Sequence, residues 1–478
     1  MEQIFTTNLS SSNSSEQLYN SDLAPVRSSE RHWTGYSLFA VWMNSIHNAA
    51  GYSFAAGLFI AGLSPIDVII GLFLGSILLS LASIFSGIIG QETGVPYPVI
   101  SRLSWGIWGA NFPAIIRSLV AIAWYGIQTY LASVSLKLVV LHFIPALSNL
   151  THTTFLNQDL LGWLSFLILS AIQLIVLWNG MEIVRKVQDI AGPIIWIIML
   201  FLAIWLLSQA HWTINWTHSS FSGGNQVYQI FAAVGLTVGT FIAFALNFSD
   251  IARFVPRQKS VIIGNLFGVP LNYLAFTITS VVMSAAALKI YGSAPLDPAV
   301  LLSKINNNFI FLIGSIAFIF ATIGSSIVTN FISAAYDISN INPKHIDFRR
   351  GGLIAGIIAI LITPWNLYSS ADAIKYFLGA LGGLIGPFLG ILLIDYYFIH
   401  KRQVKLDKLY SSDLTVDYYY WHGVNPRAIA AFIPAAILSL SAAFIPSWSK
   451  ISPFGWLIGI LVSGIIYFLI SRKTLERT

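Results

Sequence analysis

Long apolar stretches separated by short polar segments make up most of the chain after about residue 37. Twelve of these stretches approach the roughly 20 residues that a helix needs to cross a membrane. They lie at 38–62, 66–90, 113–143, 160–178, 190–208, 229–247, 261–288, 309–335, 352–370, 374–399, 427–446 and 453–471. The pattern therefore predicts an all-α integral membrane protein with twelve transmembrane helices, which we number as spans 1 to 12.

Two of these spans are interrupted by residues that weaken a helix. Span 1 carries the polar segment 44–51, and span 6 carries a glycine-rich segment at 235–240. A pair of interrupted spans five apart is typical of transporters built from two inverted repeats, with the binding site at the interruptions. The alternative is that the glycines only permit close packing of neighbouring helices.

The pattern also suggests how the chain is divided. Residues 1–30 are rich in Ser and Asn, which favours disorder. We expect a disordered cytoplasmic tail (1–34), a first inverted repeat with helices 1–5 (35–208), a second repeat with helices 6–10 (229–400), helices 11–12 (427–471) and a cytoplasmic C-terminal tail (472–478).

Composition agrees with a membrane protein. The 478 residues are 56% hydrophobic and 9% charged, against roughly 25% charged in soluble domains, and the mean hydropathy is +0.74. The absence of cysteine excludes disulfides and thiolate metal sites.

Of the 25 Lys and Arg residues, only Lys137, Lys289, Lys304, Lys375 and Lys450 fall on the side opposite the N-terminus. This bias predicts that both termini are cytoplasmic, so the net charge of +6 does not indicate nucleic-acid binding.

Candidate chemistry is concentrated in span 3. Trp124 and Gln128 are four residues apart, so they share one face of a helix. An indole beside a carboxamide offers a flat surface to a ring and a donor and acceptor to its edge. The alternative is that Gln128 bonds a neighbouring helix while Trp124 only packs.

Span 8 carries a polar face in an otherwise apolar run. Thr322, Ser325, Ser326, Thr329 and Ser333 recur at helical spacing, with Asn330 beside them. Such oxygens suit a hard cation such as sodium, although a single hydroxyl more often bonds its own helix. Spans 1, 3, 6, 8 and 10 have no Asp, Glu or Arg near their centres. A neutral ring with an amide edge therefore fits better than a charged substrate, and His47 is the one readily titratable group at that depth.

Short motifs follow one another in a fixed order along the chain. They are Asn20-Ser21-Asp22-Leu23-Ala24-Pro25, His47-Asn48, Gly109-Ala110-Asn111, Trp124-Tyr125-Gly126-Ile127-Gln128, Leu246-Asn247, Asn330, Asp337, Arg349-Arg350-Gly351-Gly352, Pro364-Trp365, Gly386-Pro387 and Asp395-Tyr396-Tyr397. This ordered set resembles the nucleobase–cation symporter-1 family over about residues 20–467. The resemblance implies a LeuT-type core of ten helices in a 5+5 inverted repeat, with two further C-terminal helices.

The resemblance also implies a substrate site. Trp124 matches the tryptophan that stacks on the ring, and Gln128 matches the glutamine that bonds its amide edge. Asn48 and Asn330 match amide positions of spans 1 and 8. Phe241 stands where many relatives carry a second tryptophan, and Thr240 beside it completes the expected set.

The resemblance further implies a cation site between spans 1 and 8. Its ligands are the carbonyls matching Asn44, His47 and Ala321 and the hydroxyl of Ser325, with sodium as a candidate. Gly324 stands where sodium-coupled relatives have another hydroxyl, so one oxygen is missing. Beside this weakened site, His47 favours proton coupling slightly over tight sodium coupling, and both remain open.

These observations predict a secondary transporter of the cell (inner) membrane that imports a uracil-, allantoin- or hydantoin-like ring with a cation. No cofactor is expected beyond that coupling ion. The expected partners are the substrate and the lipid bilayer, and a monomer is the default, with the oligomeric state left open. A LeuT-type symporter of amino acids or amines is the main alternative. An enzyme is disfavoured because no His-x-x-x-His spacing occurs, whereas a transport-like receptor would share the site.

Overall fold

The computed structural model describes residues 15–369 and 371–475, most of which lie in helices. The helices are α1 (Gly35–Ile46), α2 (Ala49–Ile60), α3 (Pro65–Thr93), α4 (Tyr97–Trp105), α5 (Asn111–Phe143), α6 (Leu160–Trp178), α7 (Met181–Gln209), α8 (Gly223–Leu246), α9 (Ser249–Ala252), α10 (Gln258–Tyr291), α11 (Pro298–Ser303), α12 (Asn308–Ser326), α13 (Ile332–Ile341), α14 (Phe348–Leu361), α15 (Pro364–Ser369), α16 (Ala371–Ile394), α17 (Pro426–Phe444) and α18 (Gly455–Leu475). Five-residue π-helical turns at Ile327–Phe331 and Asp395–Ile399 continue α12 into α13 and extend α16. A two-stranded hairpin, β1 (Thr154–Phe155) and β2 (Gln158–Asp159), precedes α6.

The helices follow the predicted spans closely. Within the described residues, nine helices are long and apolar enough to cross a membrane, counting α12 and α13 as one. The first span is divided into α1 and α2, α14 is short, and the described apolar part of the tenth span is Gly383–Ile399. The largest boundary differences are nine residues each: α14 ends at Leu361 and not at 370, and α7 begins at Met181 and not at 190, with Glu182 and Arg185 paired on its first turns.

The predicted interruption of span 1 is confirmed. The first helix ends at Ile46, and the next begins at Ala49. Asn48 has an extended backbone, and its side-chain oxygen accepts a hydrogen bond from the Gly51 amide at 2.8 Å. An amide side chain in that role satisfies one of the free N–H groups at a helix start, so the break is a capped junction between two helices.

The predicted interruption of span 6 at 235–240 is wrong. Helix α8 runs without a break from Gly223 to Leu246. A Cβ at Gly235 would lie 2.5 Å from the Pro453 carbonyl, and the Trp456 indole donates to the Gly235 carbonyl at 2.9 Å. The glycine therefore admits the start of α18 to the surface of α8, which is the close-packing alternative.

The prediction of a disordered tail at 1–34 is wrong for residues 15–34. Asn20 donates to the Ser339 hydroxyl at 2.9 Å, and Arg253 donates to the Asp22 carbonyl at the same distance. Leu23 is fully buried. The segment thus packs across the ends of several helices, which its polar composition did not indicate. Residues 1–14 and 476–478 lie outside the described residues, and α18 takes in the first four residues of the predicted C-terminal tail.

Candidate functional site

The capped junction of α1 and α2 lies against the end of α12, and this contact brings the two predicted polar segments together. The Ser325 hydroxyl donates to the Ser45 carbonyl at 3.0 Å. One turn away, the Ala49 amide donates to the Thr322 hydroxyl at 3.1 Å. The amide of Asn48 donates to the Ser45 carbonyl at 2.6 Å and to the Ser325 hydroxyl at 3.2 Å. Hydroxyls of span 8 therefore face the broken helix, where the resemblance implies the cation site.

Asn48 is engaged on both sides of its carboxamide. Its oxygen caps α2, and its nitrogen bonds two oxygens of the junction. The side chain is only 2% exposed. The structure therefore gives Asn48 a structural role at the helix break, while its predicted contact with substrate stays a prediction.

The two predicted amide side chains of spans 3 and 8, Gln128 and Asn330, are hydrogen-bonded to each other. The Asn330 amide donates to the Gln128 side-chain oxygen at 3.3 Å and to the Thr329 hydroxyl at 2.8 Å. Both Gln128 and Asn330 are buried. Asn330 belongs to the π-helical turn at Ile327–Phe331, a kind of turn that often marks functional sites.

The predicted aromatic residues come from two different helices. Trp124 on α5 is half-buried and packs against buried apolar residues of the protein core. Phe241 on α8 is 9% exposed, and the edges of Trp42 and Tyr273 contact it with ring centroids 6.1 Å away in each case. Both rings are thus held by surrounding packing and not by solvent-exposed loops.

Thr240 differs from the rest of the predicted set. It is exposed, whereas its neighbour Phe241 is buried. Its hydroxyl donates to the Leu236 carbonyl one turn earlier in α8, at 2.9 Å. The hydroxyl therefore bonds its own helix, and no described contact links Thr240 to Trp124, Gln128 or Asn330.

The predicted cation ligands lie close to a residue that the sequence did not single out. Gln188 on α7 donates from its amide nitrogen to the Gly324 carbonyl at 3.2 Å, and its own backbone carbonyl accepts from the Asn44 amide at 3.0 Å. All three positions are buried. The cation region thus includes span 5 as well as spans 1 and 8.

The set of oxygens in this region fits a hard monovalent cation. Carbonyls at the end of α1, the backbone of Ala321 and the Ser325 hydroxyl are the kinds of neutral oxygen that such ions accept. Among the described residues, no group of three His, Cys, Asp or Glu could hold a metal ion. His47 is buried, with the rings of Trp196 and Phe276 edge-on at 6.2 and 5.6 Å.

Arg117, near the start of α5, is a further buried charged residue. Its guanidinium donates to the Ala243 carbonyl and the Asn247 side-chain oxygen near the end of α8, each at 3.0 Å. It also donates to the Thr329 carbonyl in the π-helical turn at 3.0 Å. A charge placed between three helices in this way needs these acceptors, and neither spacing nor hydropathy indicated them.

Comparisons with known proteins agree with this architecture. A family described as "Permease for cytosine/purines, uracil, thiamine, allantoin" matches residues 25–461. The chain is 34% identical to the allantoin permease of Bacillus subtilis (strain 168) over 96% of this chain and 94% of the relative. It is 29% identical to a putative allantoin permease of Escherichia coli (strain K12) over 95% of each. The solved structure of Mhp1, a nucleobase-cation-symport-1 family transporter in a closed conformation with bromovinylhydantoin bound, superposes with a TM-score of 0.80 at 21% identity over 96% of each chain.

Proposed function

The chain belongs to the family of permeases for cytosine/purines, uracil, thiamine and allantoin, and we propose that it imports a neutral allantoin-, hydantoin- or uracil-like ring by cation symport. It is a multi-pass membrane transporter of nucleobase-type compounds with a LeuT-type fold, and it is not an enzyme. The observation that carries the substrate proposal is the hydrogen bond between Asn330 and Gln128, one helical turn from Trp124.

That amide pair supports a substrate with its own amide edge. Gln128 and Asn330 are buried, so each polar atom needs a partner, and a ring with adjacent N–H and C=O groups offers both kinds. Trp124 presents an indole on the same helical face as Gln128, and Phe241 is the aromatic proposed for the other side of the ring. None of these four side chains carries a formal charge, which disfavours a zwitterionic substrate.

We assign Asn48 and Thr240 lesser roles in this proposal. Asn48 caps α2 and bonds Ser325 across the break in span 1. We propose that it affects substrate binding indirectly, by stabilising this junction. Thr240 bonds its own helix. The ring-binding set that we propose is therefore Trp124, Phe241, Gln128 and Asn330.

The coupling ion is proposed to be a small monovalent cation at the junction of α1, α7 and α12. The sequence favoured a proton because Gly324 lacks a hydroxyl. Two observations now support sodium instead: Asn44 Oδ1 lies beside Gly324 while the Gln188 amide nitrogen donates to the Gly324 carbonyl, and two aromatic rings contact His47 edge-on. An imidazolium there would be poorly solvated, whereas neutral oxygens suit a hard cation.

Alternating access is proposed to follow the two inverted repeats. Spans 1, 2, 6 and 7 would rock against spans 3, 4, 8 and 9, with the substrate site between them. Arg117 bridges the two groups of spans, because it joins α5 and the π-helical turn of span 8 to the end of α8 in span 6. The distribution of Lys and Arg supports cytoplasmic termini, and the cell (inner) membrane is the proposed location.

The experiment that tests the function is uptake into proteoliposomes. Labelled allantoin, uracil and hydantoin would be offered separately, with L-phenylalanine as the probe for an amino-acid carrier. We expect at least one ring compound to accumulate above its external concentration when an inward sodium gradient is imposed alone. Accumulation of L-phenylalanine in place of the rings would contradict the substrate proposal, and ring binding without accumulation in any ion gradient would contradict symport.

A further inference from the structure

The side-chain oxygen of Asn44 is directed at Gly324, on the side of the backbone where other residues carry a Cβ. A Cβ built on Gly324 would lie 3.1 Å from Asn44 Oδ1. Asn44 is fully buried, and Oδ1 has no hydrogen-bond partner within the described part of the chain. The lack of a side chain at position 324 therefore lets this buried oxygen lie close to the backbone of Gly324.

The direction of the Asn44 amide is fixed by its other contacts. The nitrogen donates to the carbonyls of Ala40 at 2.9 Å and Gln188 at 3.0 Å. Carbonyls only accept hydrogen bonds, so rotating the amide by 180° would set its oxygen against two other oxygens. The oxygen is thus held toward Gly324.

Gln188 repeats this arrangement from span 5. Its nitrogen donates to the Gly324 carbonyl, which fixes the nitrogen end of that amide as well. Its oxygen, Oε1, is buried and lacks a donor among residues 15–369 and 371–475. Buried amide oxygens without donors are unfavourable, and both of these belong to side chains in contact with the same glycine.

We propose that Asn44 Oδ1 and Gln188 Oε1 are side-chain ligands of a sodium-type cation held beside Gly324 and Ser325. The proposal rests on cation symport as the function, and it assigns oxygens from spans 1 and 5 where the resemblance had implied only backbone carbonyls and span 8 hydroxyls. The glycine is then part of the site, because it leaves room for an amide oxygen from a neighbouring helix. No carboxylate is needed, since the ion replaces the two missing donors.

The test is the sodium dependence of thermal unfolding of the purified full chain, with choline replacing sodium at constant ionic strength. We expect sodium to raise the melting temperature of the wild type with a saturable midpoint. Gln188→Met removes Oε1 at similar volume, and Gly324→Ala places a methyl group against Asn44 Oδ1. Each should raise the sodium midpoint at least tenfold. Gly356→Ala is the matched glycine control, because a Cβ there meets only Phe331 Cζ at 3.9 Å.

Two more variants sharpen the assignment. Gln188→Glu keeps an oxygen and adds negative charge, so it should lower the sodium midpoint. Gly324→Ser would place a hydroxyl next to Asn44 Oδ1, where it donates to that oxygen, so it should weaken sodium binding as alanine does. A serine variant that binds sodium more tightly than the wild type would overturn the assignment in favour of a simple missing hydroxyl.

A second measurement on the same samples separates the cation-site proposal from the substrate proposal. It records the change in melting temperature caused by allantoin, uracil or hydantoin. If the rings stabilise the wild type but its melting temperature is the same in sodium and in choline, the cation proposal fails and the substrate proposal stands. If sodium stabilises with the expected variant pattern but no ring does, the substrate proposal fails and the cation site stands. Unchanged sodium midpoints in folded Gln188→Met and Gly324→Ala would also overturn the site.

Discussion

The ring of Tyr125 stacks on the ring of Phe331, with centroids 4.2 Å apart and 18° between the planes. Tyr125 directly follows Trp124 on α5, and Phe331 directly follows Asn330 in the π-helical turn. The stack therefore joins the two helices next to residues proposed to bind the ring. It fixes how far α5 and the turn can slide past one another, and so the distance between Gln128 and Asn330.

We first expect Phe331→Leu to reduce both stability and substrate affinity. Leucine keeps the site apolar but removes the stack, which contributes roughly 0.5–1.5 kcal/mol, and it frees the π-helical turn to reorient Asn330. Unfolding curves and substrate titration would measure the two effects. Phe388→Leu is the control, because Phe388 stacks on Phe432 at 4.7 Å on α16 and α17. A loss of affinity equal in both variants would show that the effect is general destabilisation.

Trp124→Ala is expected to weaken substrate binding at least tenfold. Base–aromatic stacking contributes roughly 1–3 kcal/mol, and each 1.4 kcal/mol is about a factor of ten in affinity. The measurement is a binding titration of the purified variant, with its melting temperature recorded. Trp212→Ala, at an exposed residue beyond α7, should leave affinity unchanged. Normal affinity in a stable Trp124 variant would reduce this side chain to a packing role.

Gln128→Ala and Asn330→Ala should each reduce uptake strongly, and a substrate methylated on its amide nitrogen should lose affinity for the wild type. A site built to pair a polar edge leaves its own buried groups unpaired when that edge is missing. Competition assays with parent and N-methylated rings provide the measurement. Asn179→Ala, which removes an exposed amide at the end of α6, is the matched control. Equal competition by the methylated ring is incompatible with edge pairing.

Asn48 gives a prediction that separates capping from substrate contact. Asn48→Ala should destabilise the protein by roughly 0.5–2 kcal/mol, the usual effect of removing such a cap, whereas Asn48→Ser should keep most of the stability because serine also caps well. Thermal unfolding measures both. If the serine variant is stable yet binds substrate tenfold more weakly, Asn48 contacts the ring directly.

His400, just beyond the membrane-spanning part of α16, should make stability depend on pH. Burial alone would lower the pKa of His400, but the hydrogen bond and negative charge of Asp395, 3.2 Å away, outweigh it and raise the pKa above 6.5. The stabilisation is then fully present below the unfolded-state pKa and is lost as pH rises through the higher folded-state pKa.

The measurement is the difference in melting temperature between wild type and His400→Gln across this pH range. It should be largest in mild acid and shrink toward alkaline pH. His422→Gln, at an exposed histidine, is the control for replacing a histidine by glutamine. A difference that grows with pH would mean that the neutral form of His400 is the one stabilised.

The sequence by itself determined the approximate membrane spans, an interruption of span 1 within 44–51 and the shared face of Trp124 and Gln128. These features depend on residues close together in the chain, because hydropathy, helix period and capping act over a few residues. The resemblance to the symporter family, which its matched profile now bears out, came from the same local motifs in order.

Only the tertiary structure decided which polar atoms pair. Span 6 stays helical because α18 packs on Gly235, and the Ser- and Asn-rich segment after residue 14 is ordered because distant helix ends accept its hydrogen bonds. Asn44 and Gln188 meet across 144 residues, and Asn330 reaches Gln128 across 202. The sequence around a buried amide residue is the same whether its side chain binds a ligand, caps a helix or bonds a neighbouring helix. Its partner is therefore decided by the packing of distant segments.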